Sequence, residues 1–227
     1  METKKTQVYN LIILDKSGSM ESIRKAAIDG YNETLGSIKS AQLKYLDTQE
    51  HYISLAAFCG CGVDIIYDCI PVKDAEKLTK AKYNPCCMTP LYDAIGKSIK
   101  TLEKKTADIE DVAVLVTIIT DGMENASQEW TGPAIKKLID ERKEEGWMFS
   151  YIGADHDVES VAASISITNT VVWTKTVEGT GAVIDNENCA RMRFFSKMDA
   201  MCEPTASVEE KKRLRKKFAE EYYNKQK

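Results

Sequence analysis

The sequence predicts an α/β fold: a doubly wound, mostly parallel central β-sheet with one antiparallel edge strand, helices on both faces, and further helices at the C-terminus. Three observations predict it. Continuous apolar, β-branched runs recur, the strongest being DVAVLVTIIT at 111–120, as a central parallel strand buried on both faces requires. These runs alternate with segments whose apolar residues repeat at helical spacing, the pattern of an α/β sheet. Two strand-like runs are separated only by a short glycine-containing connection, CGCG, which suits an antiparallel hairpin.

The elements follow in order. VYNLIIL (8–14) reads as a buried strand. Residues 21–45 repeat Ile23, Ala27, Tyr31, Leu35 and Ile38 on one helical face. YISLAAF (52–58) and VDIIYDCI (63–70) form the hairpin. After Pro90 a second helix sets Leu91, Ile95, Ile99 and Leu102 on one side. The 111–120 strand comes next, then a helix over 132–145 with Pro133 near its start. WMFSYIGA (147–154) is a strand, DVESVAASI (157–165) a short helix, and NTVVWT (169–174) a last strand. This divides the chain into a domain at 1–175 and a C-terminal helical extension at 176–227. The extension holds a helix from about 181 to 200 and a charged one opened by Ser207 and Glu210, a capping-box pair.

Composition narrows the function classes. With 227 residues, 43% hydrophobic and 29% charged, the chain has the profile of an ordinary soluble globular protein. Its net charge of −4 supplies no basic field for nucleic acid. The opening METKKTQ is polar and the apolar run after it is too short for a secretion signal. No stretch reaches the ~20 apolar residues of a membrane helix. The expectation is a cytoplasmic protein without membrane contact. Cys59, Cys61, Cys69, Cys86, Cys87, Cys189 and Cys202 are odd in number and lack two Cys-x2-4-Cys knuckles, so they read as buried or loop thiols rather than as disulfides or a zinc site.

The chemistry gathers where strands end. The first strand runs into DKSGSM, presenting Asp15, Ser17 and Ser19 on alternate positions; in a turning segment, residues two apart can point the same way. The 111–120 strand exits through Thr120, Asp121 and Gly122, and Thr89 stands just ahead of a helix. Ligands of open α/β sheets bind outside the carboxyl ends of the strands. Two carboxylates and three hydroxyls there make an all-oxygen donor set of the kind hard divalent cations take.

These residues carry a resemblance. DKSGSM is similar to the D-x-S-x-S motif of the von Willebrand factor type A domain, MTPLYDAI resembles that family's threonine loop, and IITDGMEN resembles its strand-end Thr-Asp-Gly. All three occur in the family's order, over a strand–helix pattern at about 7–175. The resemblance implies a vWA/Rossmann-like sheet and a metal-ion-dependent adhesion site, with Asp15, Ser17, Ser19, Thr89 and Asp121 as its members, Asp121 directly or through water. It implies Mg²⁺, or Mn²⁺ or Ca²⁺, as the cofactor. It also implies a protein partner whose Asp or Glu fills the open coordination position. Beside that implication, Met20, Met88 and Met123 flank the motifs and read either as an adaptable apolar rim for the partner or as ordinary loop packing. The last fifty residues lie outside the resemblance.

Other readings compete. Asp15 could serve only as a turn cap and Thr89 only as an N-cap. Gly96-Lys97-Ser98 lacks the earlier glycine and the preceding strand of a phosphate loop. A metal-dependent hydrolase would use the Asp155-His156-Asp157 loop, but no catalytic constellation stands out and the chain does not read as an enzyme. A nucleic-acid-linked protein would use the C-terminal helix, where 208–227 holds eight Lys/Arg and four Glu; a solvated, salt-bridged helix accounts for the same run.

Overall fold

The computed structural model describes residues 5–154, 157–173, 177–201 and 206–223, with side chains described from 181 in the third segment. β1 (Thr6–Asp15) leads through a 3-10 turn (Gly18–Ile23) into α1 (Arg24–Lys44). β2 (Gln49–Cys59) and β3 (Gly62–Pro71) follow, then α2 (Leu91–Thr106), β4 (Val112–Thr120) and α3 (Gly132–Glu144). β5 (Met148–Ala154), α4 (Val158–Ser164), β6 (Thr170–Trp173), α5 (Val177–Ala200) and α6 (Val208–Glu220) complete the order. The sheet runs β3-β2-β1-β4-β5-β6 and every neighbouring pair is parallel except β2 with β3. The antiparallel edge strand is therefore β3, as the CGCG connection predicts.

Alternation along the strands builds a core on each face. Tyr9, Leu11 and Ile13 of β1 join Val114, Val116 and Ile118 of β4 beneath α2, α3 and α4. Ile12 and Leu14 face the other way, under α1. At the opposite end of that second face, Val8, Leu115 and Met148 pack against Phe194, Phe195 and Met198 of α5 and Ala219 of α6. Both C-terminal helices thus lie on the sheet. Among the described residues, no helix is long and apolar enough to cross a membrane.

Two boundaries differ from expectation. The first helix begins as a 3-10 turn, which sends Met20 and Ile23 into the core. Met20 is fully buried, so it is not part of an exposed rim. α5 starts at Val177, about one turn before the expected start near 181, so that Gly179 lies inside the helix together with Gly181. A glycine inside a helix costs about 1 kcal/mol; burial of Val183 and Ile184 on α1 offsets it. Gly96-Lys97-Ser98 lies in the middle of α2, as a helix reading requires.

The charged helix is capped by Ser207, whose hydroxyl accepts from Glu210 N at 3.2 Å. Lys212, Arg213 and Lys217 face solvent, and the other three cations are paired. Lys211 reaches Asp111 at 2.8 Å, Arg215 pairs with the same carboxylate, and Lys216 meets Glu144 at 2.7 Å. Arg215 also donates to Val112 O at 2.7 Å. Burial alone would raise the Asp111 carboxyl. The Arg215 charge and the bonds from Lys211, Arg215 and Thr6 outweigh it and hold the group below its ordinary value. A carboxylate depressed in the folded state stabilises above its unfolded pKa, and that stability is lost as pH falls through the folded one. Asp111→Asn is therefore expected to cost about 3 kcal/mol near neutrality, because it strands buried Arg215. The gap from wild type should close below about pH 4. Urea unfolding as a function of pH checks this; a gap that persists undiminished into acid contradicts it.

Candidate metal centre

β1 and β4 are adjacent and parallel, and Leu14 pairs with Ile119. Asp15 and Thr120 consequently leave the sheet side by side, at the point where strand order reverses. Asp15 is wholly buried there. One carboxylate oxygen accepts from Ser17 N at 2.6 Å, which folds the chain back into an Asx turn; the other accepts from Thr120 Oγ1 at 2.6 Å. The carbonyl of Asp15 accepts from the hydroxyl of buried Tyr83 at 2.5 Å.

The turn aims the two serines at β4. Ser17 Oγ and Ser19 Oγ are 3.2 Å apart, and Ser19 Oγ donates to Asp121 Oδ1 at 2.6 Å. Thr89 arrives from the loop before α2. A Cβ added to Gly122 would stand 3.1 Å from Thr89 Oγ1 and 3.8 Å from Asp15 Oδ2. The threonine hydroxyl and the aspartate therefore converge on one small space that the missing side chain of Gly122 leaves open. All five expected residues meet at this edge. The Asx turn at Asp15 is real, but Asp15 also engages β4, so capping does not exhaust its role.

Thr89 is not the cap of α2. Pro90 occupies that position without a side-chain cap. The first-turn N–H groups are met from across the loop instead, Tyr92 N by Glu124 Oε2 at 2.9 Å and Asp93 N by Ser127 Oγ at 3.0 Å. In return the Asp93 carboxylate accepts from Gln128, Glu129 and Trp130 N at 2.8–2.9 Å. Asn125 fastens Thr89 itself: Thr89 N donates to Asn125 Oδ1 at 2.8 Å, and Asn125 N donates to Thr89 O at 3.1 Å. Tyr83, Asp93, Glu124 and Asn125 are thus positioning residues that sequence reasoning passed over. The last three lie inside the stretches MTPLYDAI and IITDGMEN, where each reads as an ordinary loop polar residue.

Burial pushes the Asp15 carboxyl up to about 6, and the neighbouring Asp121 charge adds to the rise; bonds from Thr120 and Ser17 oppose it without cancelling it. A carboxylate held against its own ionisation beside a second one is a site that a cation would relieve. Three hydroxyls and two carboxylates fit a hard divalent ion and offer no thiolate or imidazole of the kind a soft metal prefers. Met88 and Met123 stand exposed at the rim, at 59% and 60%. In the loop considered for hydrolysis, Asp155 and His156 lie outside the described residues. Asp157 caps α4 by accepting from Ser160 N at 3.1 Å.

Asn125→Ala would remove one half of the clasp on Thr89. Divalent-metal affinity is expected to fall about tenfold, in the range for residues that orient a metal ligand, with the fold intact by circular dichroism. Calorimetric titration with Mn²⁺ measures it; unchanged affinity would remove Asn125 from the site.

No protein-family model matches the chain, and no curated protein does. Solved structures do. The pilus adhesin SpaC of Lactobacillus rhamnosus GG superposes with a TM-score of 0.63 at 16% identity, over 85% of this chain and 30% of the adhesin. Proximal thread matrix protein 1 of the mussel byssus, with a zinc-occupied MIDAS motif, gives 0.57 at 12% identity over 84% of this chain and 47% of that one. The VWA domain of SpRpn10 gives 0.50 at 9% identity over 80% and 94%. The chain spans under a third of the adhesin and about half of the byssus protein. At these identities the likeness establishes the fold, and the fold is that of a von Willebrand factor type A domain.

Proposed function

We propose that this chain is a divalent-metal-dependent protein-binding module. Asp15, Ser17, Ser19, Thr89 and Asp121 would hold the ion, Mg²⁺ in the first instance, within residues 1–175; residues 176–227 form a helical extension. The bound ion supplies an electrophilic position for an Asp or Glu carboxylate of a protein partner. The chain's own residues shape that position. Asp15 and Asp121 bring only two negative charges, the three hydroxyls bring none, and the site stays attractive to a further carboxylate. Exposed Met88 and Met123 offer adaptable apolar contact around it.

The observation that carries this reading is the convergence of five oxygen-bearing side chains from three separate loops at the carboxyl edge of β1 and β4. The zinc-occupied MIDAS of the byssus protein, on the same fold, supports it. The test is calorimetric titration of Mg²⁺ and Mn²⁺ into the metal-stripped chain, with capture of native-cell partners on the immobilised protein before and after EDTA. Heat of binding that is absent in Asp15→Ala, with capture released by EDTA, is expected. No heat, or capture indifferent to EDTA, overturns it.

A further inference from the structure

Beside the oxygen site the fold assembles a second cluster that the sequence reading treated as ordinary thiols. Cys59 ends β2 and Cys61 sits in the β2–β3 turn, while Cys86 and Cys87 lie in the loop that continues to Thr89. The two pairs meet. Cys59 Sγ is 3.5 Å from Cys86 Sγ, Cys61 Sγ is 3.3 Å from Cys87 Sγ, and Cys61 and Cys86 are 4.0 Å apart. The sulfurs of Cys59, Cys61 and Cys86 all fall within 4.8 Å of one another.

We infer that Cys59, Cys61, Cys86 and Cys87 form a tetrathiolate site for a soft divalent metal, Zn²⁺ above all. Three of the sulfurs already stand together, and the fourth is one contact away. Four sulfurs at about 2.3 Å from a tetrahedral zinc are about 3.8 Å from one another; the Cys59–Cys86, Cys61–Cys86 and Cys61–Cys87 separations of 3.5, 4.0 and 3.3 Å bracket that value, and Cys87, which touches the trio through Cys61, would turn in to complete the tetrahedron. All-sulfur ligation selects zinc over the hard cations of the oxygen site. The backbone is arranged for the meeting. Cys87 adopts a left-handed φ of 64°, which lets adjacent cysteines turn toward one point. Gly60 lies so close to the loop that a Cβ there would be 3.1 Å from both Cys87 Cβ and Met88 N. The Lys16 side chain, paired with Asp64, is near enough to Cys59 and Cys86 to offset part of the excess negative charge of four thiolates around one dication. Cys61 and Cys87 are exposed, so an ion has a route in.

The site is placed to matter. Cys86 N donates to Lys16 O at 2.9 Å, and Gly18 N donates to Cys87 O at 3.0 Å. Zinc would therefore tie the β2–β3 hairpin to the loop that braces the Asp15–Ser19 turn and carries Thr89. Small spacings hid this from the sequence: neither C-x-C nor C-C is a zinc knuckle, and each supplies only half of a site.

The test is titration of Co²⁺ into the full chain after metal stripping and reduction with a phosphine. Expected is an intense near-ultraviolet sulfur-to-cobalt charge-transfer band with the strong visible bands of tetrahedral cobalt, saturating at one ion per chain and lost on adding Zn²⁺. Cobalt in the oxygen site gives no such band, so failure of the two readings is separable. Asp15→Ala should keep the band. Cys61→Ser/Cys87→Ser should abolish it while circular dichroism stays that of wild type, because both side chains are exposed. Fully reduced wild type without the band, or a band that survives the double substitution, overturns the inference.

Discussion

Arg191→Ala is expected to lower stability by about 3–5 kcal/mol, the cost of breaking a buried ion pair by removing one partner. Arg191 is wholly buried on α5. Its guanidinium donates to Glu187 Oε1 at 2.7 Å, to Thr117 Oγ1 at 2.7 Å and to Asn10 Oδ1 at 3.1 Å. Glu187, itself 1% exposed, also accepts from Tyr222 OH at 2.9 Å, Tyr223 OH at 2.5 Å and Ser150 Oγ at 3.3 Å. One ion pair thus joins β1, β4, β5, α5 and the residues just after α6. Truncating the arginine leaves a carboxylate in the core with hydroxyl donors only. For a domain of this size the loss corresponds to a melting-temperature drop of roughly 10 °C. Glu187→Leu/Arg191→Met, which removes both charges, should recover part of it. A single variant within about 2 °C of wild type would show that the pair is not closed as described.

That network also marks how far the sequence could be read. β1 and β4 were legible because parallel strands buried on both faces require near-continuous apolar runs, and VYNLIIL and VAVLVTIIT are such runs, each interrupted once by Asn10 or Thr117. The hairpin was legible because CGCG is too short for a crossover. The five oxygen residues were legible because each sits at a strand exit or just ahead of a helix, where local order alone places it. Arg191 and Glu187 were not. Spaced four apart in NENCARM, they look like a solvated helical pair, and only the assembled sheet shows that Asn10, Thr117 and Ser150 face them. The trace was there as single polar residues inside apolar runs, too faint without a partner surface. The cysteine cluster was hidden for the same reason: its halves are about 25 residues apart, and no local pattern joins them. Met20 failed differently: the stretch that reads as an exposed loop ahead of the helix is a 3-10 turn, and that turn buries it.

Asp15→Asn is expected to abolish Mg²⁺ binding and yet to make the metal-free protein more stable. The two effects share one cause. Asp15 is buried against the end of the sheet, and burial is what lifts its carboxyl to about 6. A carboxylic acid whose folded pKa exceeds its unfolded one loses stability as pH rises through the interval between them, here from about 4 to 6, and does not regain it at neutrality. The neutral amide is nearly the same shape. Its oxygen can still accept from Ser17 N, and its NH₂ can donate to Thr120 Oγ1, so the turn survives while the buried charge is gone. In EDTA near neutral pH the variant should therefore exceed wild type by roughly 1–3 kcal/mol. Adding Mg²⁺ should reverse the order, because a ligand that binds only the folded state stabilises it by mass action and only wild type keeps the carboxylate that the ion needs. Thermal unfolding of both proteins in EDTA and in Mg²⁺ reads the crossing directly. Equal stabilisation of both by Mg²⁺ would move the ion away from Asp15. A variant much weaker than wild type in EDTA would mean that the carboxylate is there to hold the turn.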